Sequence, residues 1–162
     1  MSDRIFLVLT LLATLSAGLM AGFFFTFSNS VMQALARVPV SAGIQTMQAL
    51  NVTVLNPLFF AGFFGTALLG ILLGVMAVLN WTVPGSAYLV AGGALYMVGV
   101  FLVTVIFNVP MNEALGTVDP ASVQGAEMWR DYLSRWVAWN HVRTLASFAT
   151  FAAFAMALIK RA

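Results

Sequence analysis

The chain has 162 residues, of which 62% are hydrophobic and 7% are charged, with a net charge of +2. An average soluble domain is about 25% charged and about half apolar, so this composition excludes a soluble monomer. Disorder is excluded because there is ample apolar surface to bury. The sparse charges form no basic stripe that would bind nucleic acid, and a chain without cysteine has no disulfide or thiolate metal site. These properties indicate an integral membrane protein.

Four apolar runs are long enough to cross a bilayer, which takes about 20 helical residues. They cover residues 5–27, 57–79, 88–107 and 136–159. The sequence predicts an all-α transmembrane four-helix bundle that forms a single domain over residues 1–162, with both termini on one face. A cleaved signal peptide fits the first run poorly, because signal h-regions are only about 7–15 residues long.

Two long connections lie on the face opposite the termini, and each predicts a short helix at the membrane interface. In residues 28–56, Pro39 fits a first helical position and apolar residues then recur at helical spacing to Val54. In residues 108–135, Asp119 fits an N-cap. Pro110 is expected to end the third span, because proline lacks a backbone donor.

Small residues recur at every fourth position along one face of the first two spans. Close approach at small residues is what holds helices together in lipid, so these stripes predict the seams of the bundle. The alternative is that one stripe is a homo-oligomer interface. The stripes are Thr10, Thr14, Gly18, Gly22 and Thr26, and then Gly62, Thr66, Gly70 and Gly74.

Unusual polar and aromatic side chains gather where the span ends meet on the long-loop face. In a bundle these ends form one shallow bowl, which we expect to bind a hydrophobic small molecule. The asparagines can instead cap backbone groups, and the aromatic residues can instead form an interfacial belt. The expected binding residues are Asn56, Asn108, Asn112, Trp136, Trp139, Phe24 and Phe60.

Arg143 lies about two turns inside the fourth span, where a charge costs at least a few kcal/mol unless it is paired or hydrated. Asn140 shares its helix face. Two interpretations stay open. The guanidinium either reaches the interface or pairs with Glu113 or Asp131 for structure, or it binds an anion or enolate.

His141 is the single histidine and is a candidate general base, because histidine titrates near neutral pH. It lies about 200° around the helix from Arg143, so the two border one pocket only if they flank it. A structural role at the interface is the alternative. With one histidine and no carboxylate inside a span, we expect no tightly held metal, and no motif for a cofactor is present.

Five segments near the span ends form a recognisable combination. They are Phe25-Thr-Phe-Ser28, Val31-Met32, Asn56-Pro57, Asn108-Val-Pro-Met-Asn112, and Trp136 with Trp139-Asn140-His141-Val-Arg143-Thr. Together these segments resemble the anthrone-oxygenase-like family of membrane proteins. The resemblance covers almost the whole chain, and Gln33 departs from it where proline is expected after Val-Met. It implies oxidation of anthrones to anthraquinones by molecular oxygen, with no assigned cofactor.

The residues are compatible with a cofactor-free oxygenase, which needs a base, an oxyanion stabiliser and an apolar chamber. His141 is then the base, and Arg143 with Asn140 or Asn108 stabilises the oxyanion. The alternatives are a non-enzymatic carrier of a quinone-like or lipidic molecule, and an accessory subunit that docks through its glycine stripes.

Basic residues are balanced between the two faces. We expect cytoplasmic termini in a bacterial inner (plasma) membrane.

Overall fold

The structure is a computed structural model that describes residues 3–161. Four helices are long and apolar enough to cross a membrane, which confirms the predicted all-helical membrane bundle. We name them α1 (Arg4–Leu35), α3 (Pro57–Leu79), α4 (Ser86–Gly116) and α5 (Val123–Arg161). A shorter helix, α2 (Val40–Thr53), follows α1.

Each long helix packs against the next one along the chain, and α5 returns to lie beside α1. This is the up-and-down arrangement typical of short-loop bundles. Buried hydrophobic residues form three clusters along the bundle axis. One contains Leu73, Leu89 and Phe154, the next contains Met20, Phe24 and Phe63, and the last, under α2, contains Ile44, Met47 and Trp136.

The small-residue stripes form helix contacts over part of their length. In the α1 stripe, a Cβ built on Gly18 would lie 3.1 Å from the ring of Phe151 on α5. In the α3 stripe, the hydroxyl of Thr66 shares a hydrogen bond of 2.6 Å with that of Ser16, which lies on α1 outside its stripe. Further along α3, a Cβ built on Gly93 of α4 would lie 2.6 Å from the carbonyl oxygen of Gly70. Gly74 has no atom within 4 Å of such a position. The stripes therefore hold the bundle together at some positions and leave others open.

Helix α2 occupies the predicted place in the first long connection. Its inward face buries Ile44 and Met47, as the helical spacing of apolar residues predicts. The amide of Gln48 donates to the carbonyl oxygens of Leu115 and Val118, at 2.8 and 3.1 Å. These bonds fasten α2 to the end of α4.

The second long connection does not contain a separate interfacial helix. Helix α5 runs without a break over 39 residues, because no proline or other helix-breaking residue separates the polar segment from the span. The expected N-cap at Asp119 is wrong. Its carboxylate accepts from the backbone N–H of Ala121 in a turn, whereas the hydroxyl of Ser122 accepts from that of Gly125 at 2.9 Å.

The third span also extends further than predicted, because Pro110 does not end it. The helix passes through a π-helical stretch, Thr104–Asn108, and then resumes α-helical geometry over Val109–Gly116. Pro110 lies in the first turn of that segment, where a missing backbone donor is tolerated.

Replacing Gly93 with alanine should destabilise the bundle. The added methyl would collide with the backbone of Gly70, and overpacking of this kind typically costs about 1–3 kcal/mol. The matched control is Gly74→Ala, which has open space and improves helix propensity by up to about 1 kcal/mol. Thermal unfolding in detergent, followed by circular dichroism, compares the two. Equal melting temperatures would contradict the close contact of α3 with α4.

Candidate functional site

Arg143 lies inside the bundle, with 5% of its surface exposed. Its Nη2 donates to Oδ1 of Asn140 at 2.6 Å, and its Nη1 donates to Oγ1 of Thr104 at 3.3 Å. The guanidinium carbon lies 4.5 Å from the ring centroid of Phe24 and 5.2 Å from that of Trp136. Both distances fit cation–π contacts. Neutral amide, hydroxyl and aromatic groups therefore hold this cation.

Among the side chains that the structure describes, no carboxylate pairs with Arg143. Glu113 is exposed, and Asp131 forms an ion pair at 3.1 Å with the exposed Arg135. The buried Nε of Arg143 has no hydrogen-bond partner. A buried cation without a counter-ion is costly, and it favours an anion at its free edge. Neither of the carboxylates considered from the sequence is its partner.

Asn140 connects α5 to α1 as well as to the cation. Its amide nitrogen donates to the carbonyl oxygen of Phe24 at 2.8 Å and to the hydroxyl of Ser28 at 2.6 Å. Ser28 lies in a π-helical stretch of α1, and Thr104 lies in another, in α4. Such stretches are frequent at functional sites, and here each supplies one hydroxyl to the surroundings of Arg143.

Two asparagines of α4 fix the position of Trp136. Oδ1 of Asn112 accepts from Nε1 of Trp136 at 2.7 Å and from the hydroxyl of Tyr132 at 2.8 Å. The amide nitrogen of Asn108 donates to the carbonyl oxygen of Trp136 at 3.3 Å, and its buried Oδ1 has no partner. The rings of Trp129, Tyr132 and Trp136 stack in series with centroids 5.6 Å apart.

A cavity of about 90 Å³ opens beside the guanidinium. Arg143, Asn140 and Thr104 form its polar wall, and the rest of the lining is mostly apolar or aromatic. Asn51 of α2 also borders it, and its amide nitrogen is buried without a partner. Asn51 and Thr104 were not predicted from the sequence as site residues. Asn51 was predictable, because it continues the inward face of Ile44 and Met47 at helical spacing.

A larger groove of about 340 Å³ adjoins the cavity, between α1, α2 and α3. Phe23, Phe27 and Phe59 line both spaces. Asn56 borders the groove and also caps α3, since its Oδ1 accepts from the backbone N–H groups of Leu58 and Phe59 at 3.1 and 3.0 Å.

Four of the residues expected from the sequence line neither the cavity nor the groove, namely Asn108, His141, Trp139 and Phe60. His141 is exposed on the outer surface of α5, and it is not among the residues that line the cavity. Trp139 stacks on Phe107 with ring centroids 3.7 Å apart, outside the cavity. Phe60 is 38% exposed. The structure thus brings Arg143 and Asn140 together and does not bring His141 to them.

The fold and these contacts define an integral membrane helical bundle with a buried, unpaired cation beside an aromatic cavity. The anthrone oxygenase family model matches residues 57–153, more than half of the chain. The chain belongs to the anthrone oxygenase family. Neither the curated proteins nor the solved structures include a match. The matched segment supplies Asn112, Trp136, Asn140 and Arg143, whereas Phe24 and Asn51 lie outside it.

Replacing Asn140 with leucine should lower the stability of the bundle. The change leaves the hydroxyl of Ser28 and one edge of Arg143 without partners, and buried groups left unsatisfied cost about 1–3 kcal/mol each. Ser147→Ala is the matched control, because Ser147 is buried on the same helix and its hydroxyl has no hydrogen-bond partner. Melting temperatures in detergent should fall for the first variant and stay level or rise for the second. A parallel fall in both would contradict the role given to Asn140.

Proposed function

We propose that the protein is a membrane-embedded, cofactor-independent oxygenase for a hydrophobic aromatic substrate of the anthrone or hydroquinone type. The observation that carries this proposal is the buried guanidinium of Arg143. It pairs with none of the carboxylates that the structure describes, and it borders a largely apolar cavity. Membership of the anthrone oxygenase family supports the same conclusion. The substrate is then an acid whose anion is stabilised by Arg143.

The reaction balances without a further reductant. An anthrone loses a proton from its methylene carbon and becomes an enolate. The enolate gives one electron to O₂, and the resulting radical and superoxide combine into a carbon–oxygen bond. The peroxide anion then takes up a proton from solvent and loses water, formed from its terminal oxygen and the remaining hydrogen on the carbon, to become the second carbonyl. One anthrone and one O₂ yield one anthraquinone and one water.

The chain's contribution is to favour the anionic form of the substrate. An opposite charge close by lowers the pKa of an acid, and in a water-poor cavity the effect is larger than in water. None of the described residues that line the cavity carries a carboxylate or an imidazole. Proton loss in this mechanism therefore goes to solvent, with Arg143 shifting the equilibrium and Asn140 orienting its guanidinium. His141, the base suggested by the sequence, is not used.

A non-enzymatic carrier of a quinone-like or lipidic molecule is the second candidate. The groove supports it, because a largely apolar groove that adjoins a cavity bordered by a cation fits binding without turnover. Such a carrier would hold an acidic aromatic ligand and consume no oxygen.

An accessory subunit or homo-oligomer would instead use the open glycine positions. A bacterial inner membrane location with cytoplasmic termini also stays a prediction.

Oxygen uptake with emodin anthrone tests the oxygenase. Detergent-purified protein should exceed the spontaneous rate, and Arg143→Gln should lose about a hundredfold, the size of effect typical for a lost oxyanion donor. The deficit should shrink as the pH rises, because the substrate then ionises without help. Arg135→Gln is the matched control, since Arg135 is exposed on the same helix. Equal rates for Arg143→Gln and Arg135→Gln at every pH would exclude this function for Arg143.

His141→Ala separates two mechanisms in the same assay. Retained uptake agrees with proton loss to solvent and with the exposed position of His141. A loss as large as that in Arg143→Gln, without the recovery at high pH, would make His141 the base and overturn the mechanism given above.

A further inference from the structure

We infer that the ligand reaches Arg143 sideways from the bilayer, through the groove between α1 and α3. Its acidic oxygen binds at the guanidinium, and its apolar body stays in the groove. This inference rests on the proposed anion-binding role of Arg143 and adds the route by which the ligand enters. The ligand is a lipid-soluble aromatic acid, such as a phenol or enol, rather than a water-soluble anion.

The volumes of the cavity and the groove support placing the acidic oxygen of the ligand at Arg143 and its apolar body in the groove. Drug-sized ligands occupy pockets of roughly 300–1,000 Å³. The cavity beside Arg143, at about 90 Å³, can hold an acidic ring edge but not a tricyclic body. The adjoining groove, at about 340 Å³, reaches the required size. A ligand that pairs with Arg143 must therefore extend into the groove.

Three neighbouring phenylalanines lie where the cavity and the groove meet. The ring centroid of Phe23 lies 5.3 Å from that of Phe59 and 5.1 Å from that of Phe27, and these three residues line both spaces. Rotation of aromatic side chains requires no helix movement. These rings can open a path and then contact a flat ligand on its way to the guanidinium.

The groove opens towards lipid. Leu19 of α1 and Leu58 of α3 line it and are 63% and 79% exposed, and both belong to helices apolar enough to span a membrane. The cavity has a second exposed border at Leu55, near the end of α2. A ligand entering from the aqueous interface would pass this border instead. A hydrophobic aromatic concentrates in the bilayer, which favours the groove.

Binding of emodin tests the inference without turnover, because emodin is already the quinone. Its phenolate absorbs at longer wavelength than the phenol, so absorbance reports both binding and ionisation. The protein in phosphatidylcholine nanodiscs should bind emodin as the phenolate near neutral pH. Arg143→Gln should lose the phenolate band, and Arg135→Gln should keep it. Absence of emodin binding to the unaltered protein, or a band that persists in Arg143→Gln, would overturn the inference.

Five tryptophan variants then locate the route by stopped-flow absorbance. Leu19→Trp and Leu58→Trp narrow the groove and should slow association about tenfold. Their matched controls are Leu15→Trp and Leu68→Trp, exposed positions on the same helices that do not border the groove. Leu55→Trp narrows the other border and should leave the rate unchanged. Slowing by Leu55→Trp alone, or by none of the five, would overturn entry from the bilayer.

The two proposals fail in different ways. Phenolate binding through the groove without oxygen uptake would keep this inference and remove the oxygenase function. Oxygen uptake that depends on Arg143 but is insensitive to Leu19→Trp and Leu58→Trp would keep the function and remove the route.

Discussion

The hydrogen bond between Arg143 and Asn140, at 2.6 Å, is the contact on which the candidate site depends. Asn140 also donates to the backbone of Phe24 and the hydroxyl of Ser28, so the same amide joins the cation to α1. Thr104 adds a bond from α4. Three helices are thus arranged around one charge. Because Asn140 and Thr104 are neutral, they orient the guanidinium without cancelling its charge.

A carboxylate bound to Arg143, in place of these neutral groups, would have produced a site with little attraction for an anion. A buried ion pair satisfies its own charges and leaves little attraction for a ligand. Here Asp131 pairs with Arg135 at the surface and Glu113 is exposed, so no carboxylate in the described part of the chain compensates the buried positive charge. In an apolar environment such a charge is costly, and binding a ligand anion relieves that cost. This is the physical link between an unpaired arginine and the proposed preference for enolates or phenolates.

The bundle combines close and open packing along its length. At Gly70 and Gly93 the backbones of α3 and α4 nearly touch, as small residues permit in lipid. Towards the long-loop end, the rings of Phe23 and Phe59 occupy the space between α1 and α3, and the groove lies beside them. The small-residue stripes were readable from the sequence. That Gly70 is packed while Gly74 is open was not, because spacing along one helix does not specify which neighbour faces it.

The sequence by itself determined the number of spans, the inward helix of the first long connection, and the shared face of Arg143 and Asn140. Each of these follows from hydrophobic run length or helical periodicity, which are local properties. Tertiary structure decided that His141 lies outside the cavity and that Asn51 and Thr104 border it. It also decided that helix α4 continues past Pro110. Periodicity separates the faces of a helix, but only packing against the other helices decides which face turns inward and which side chains meet there.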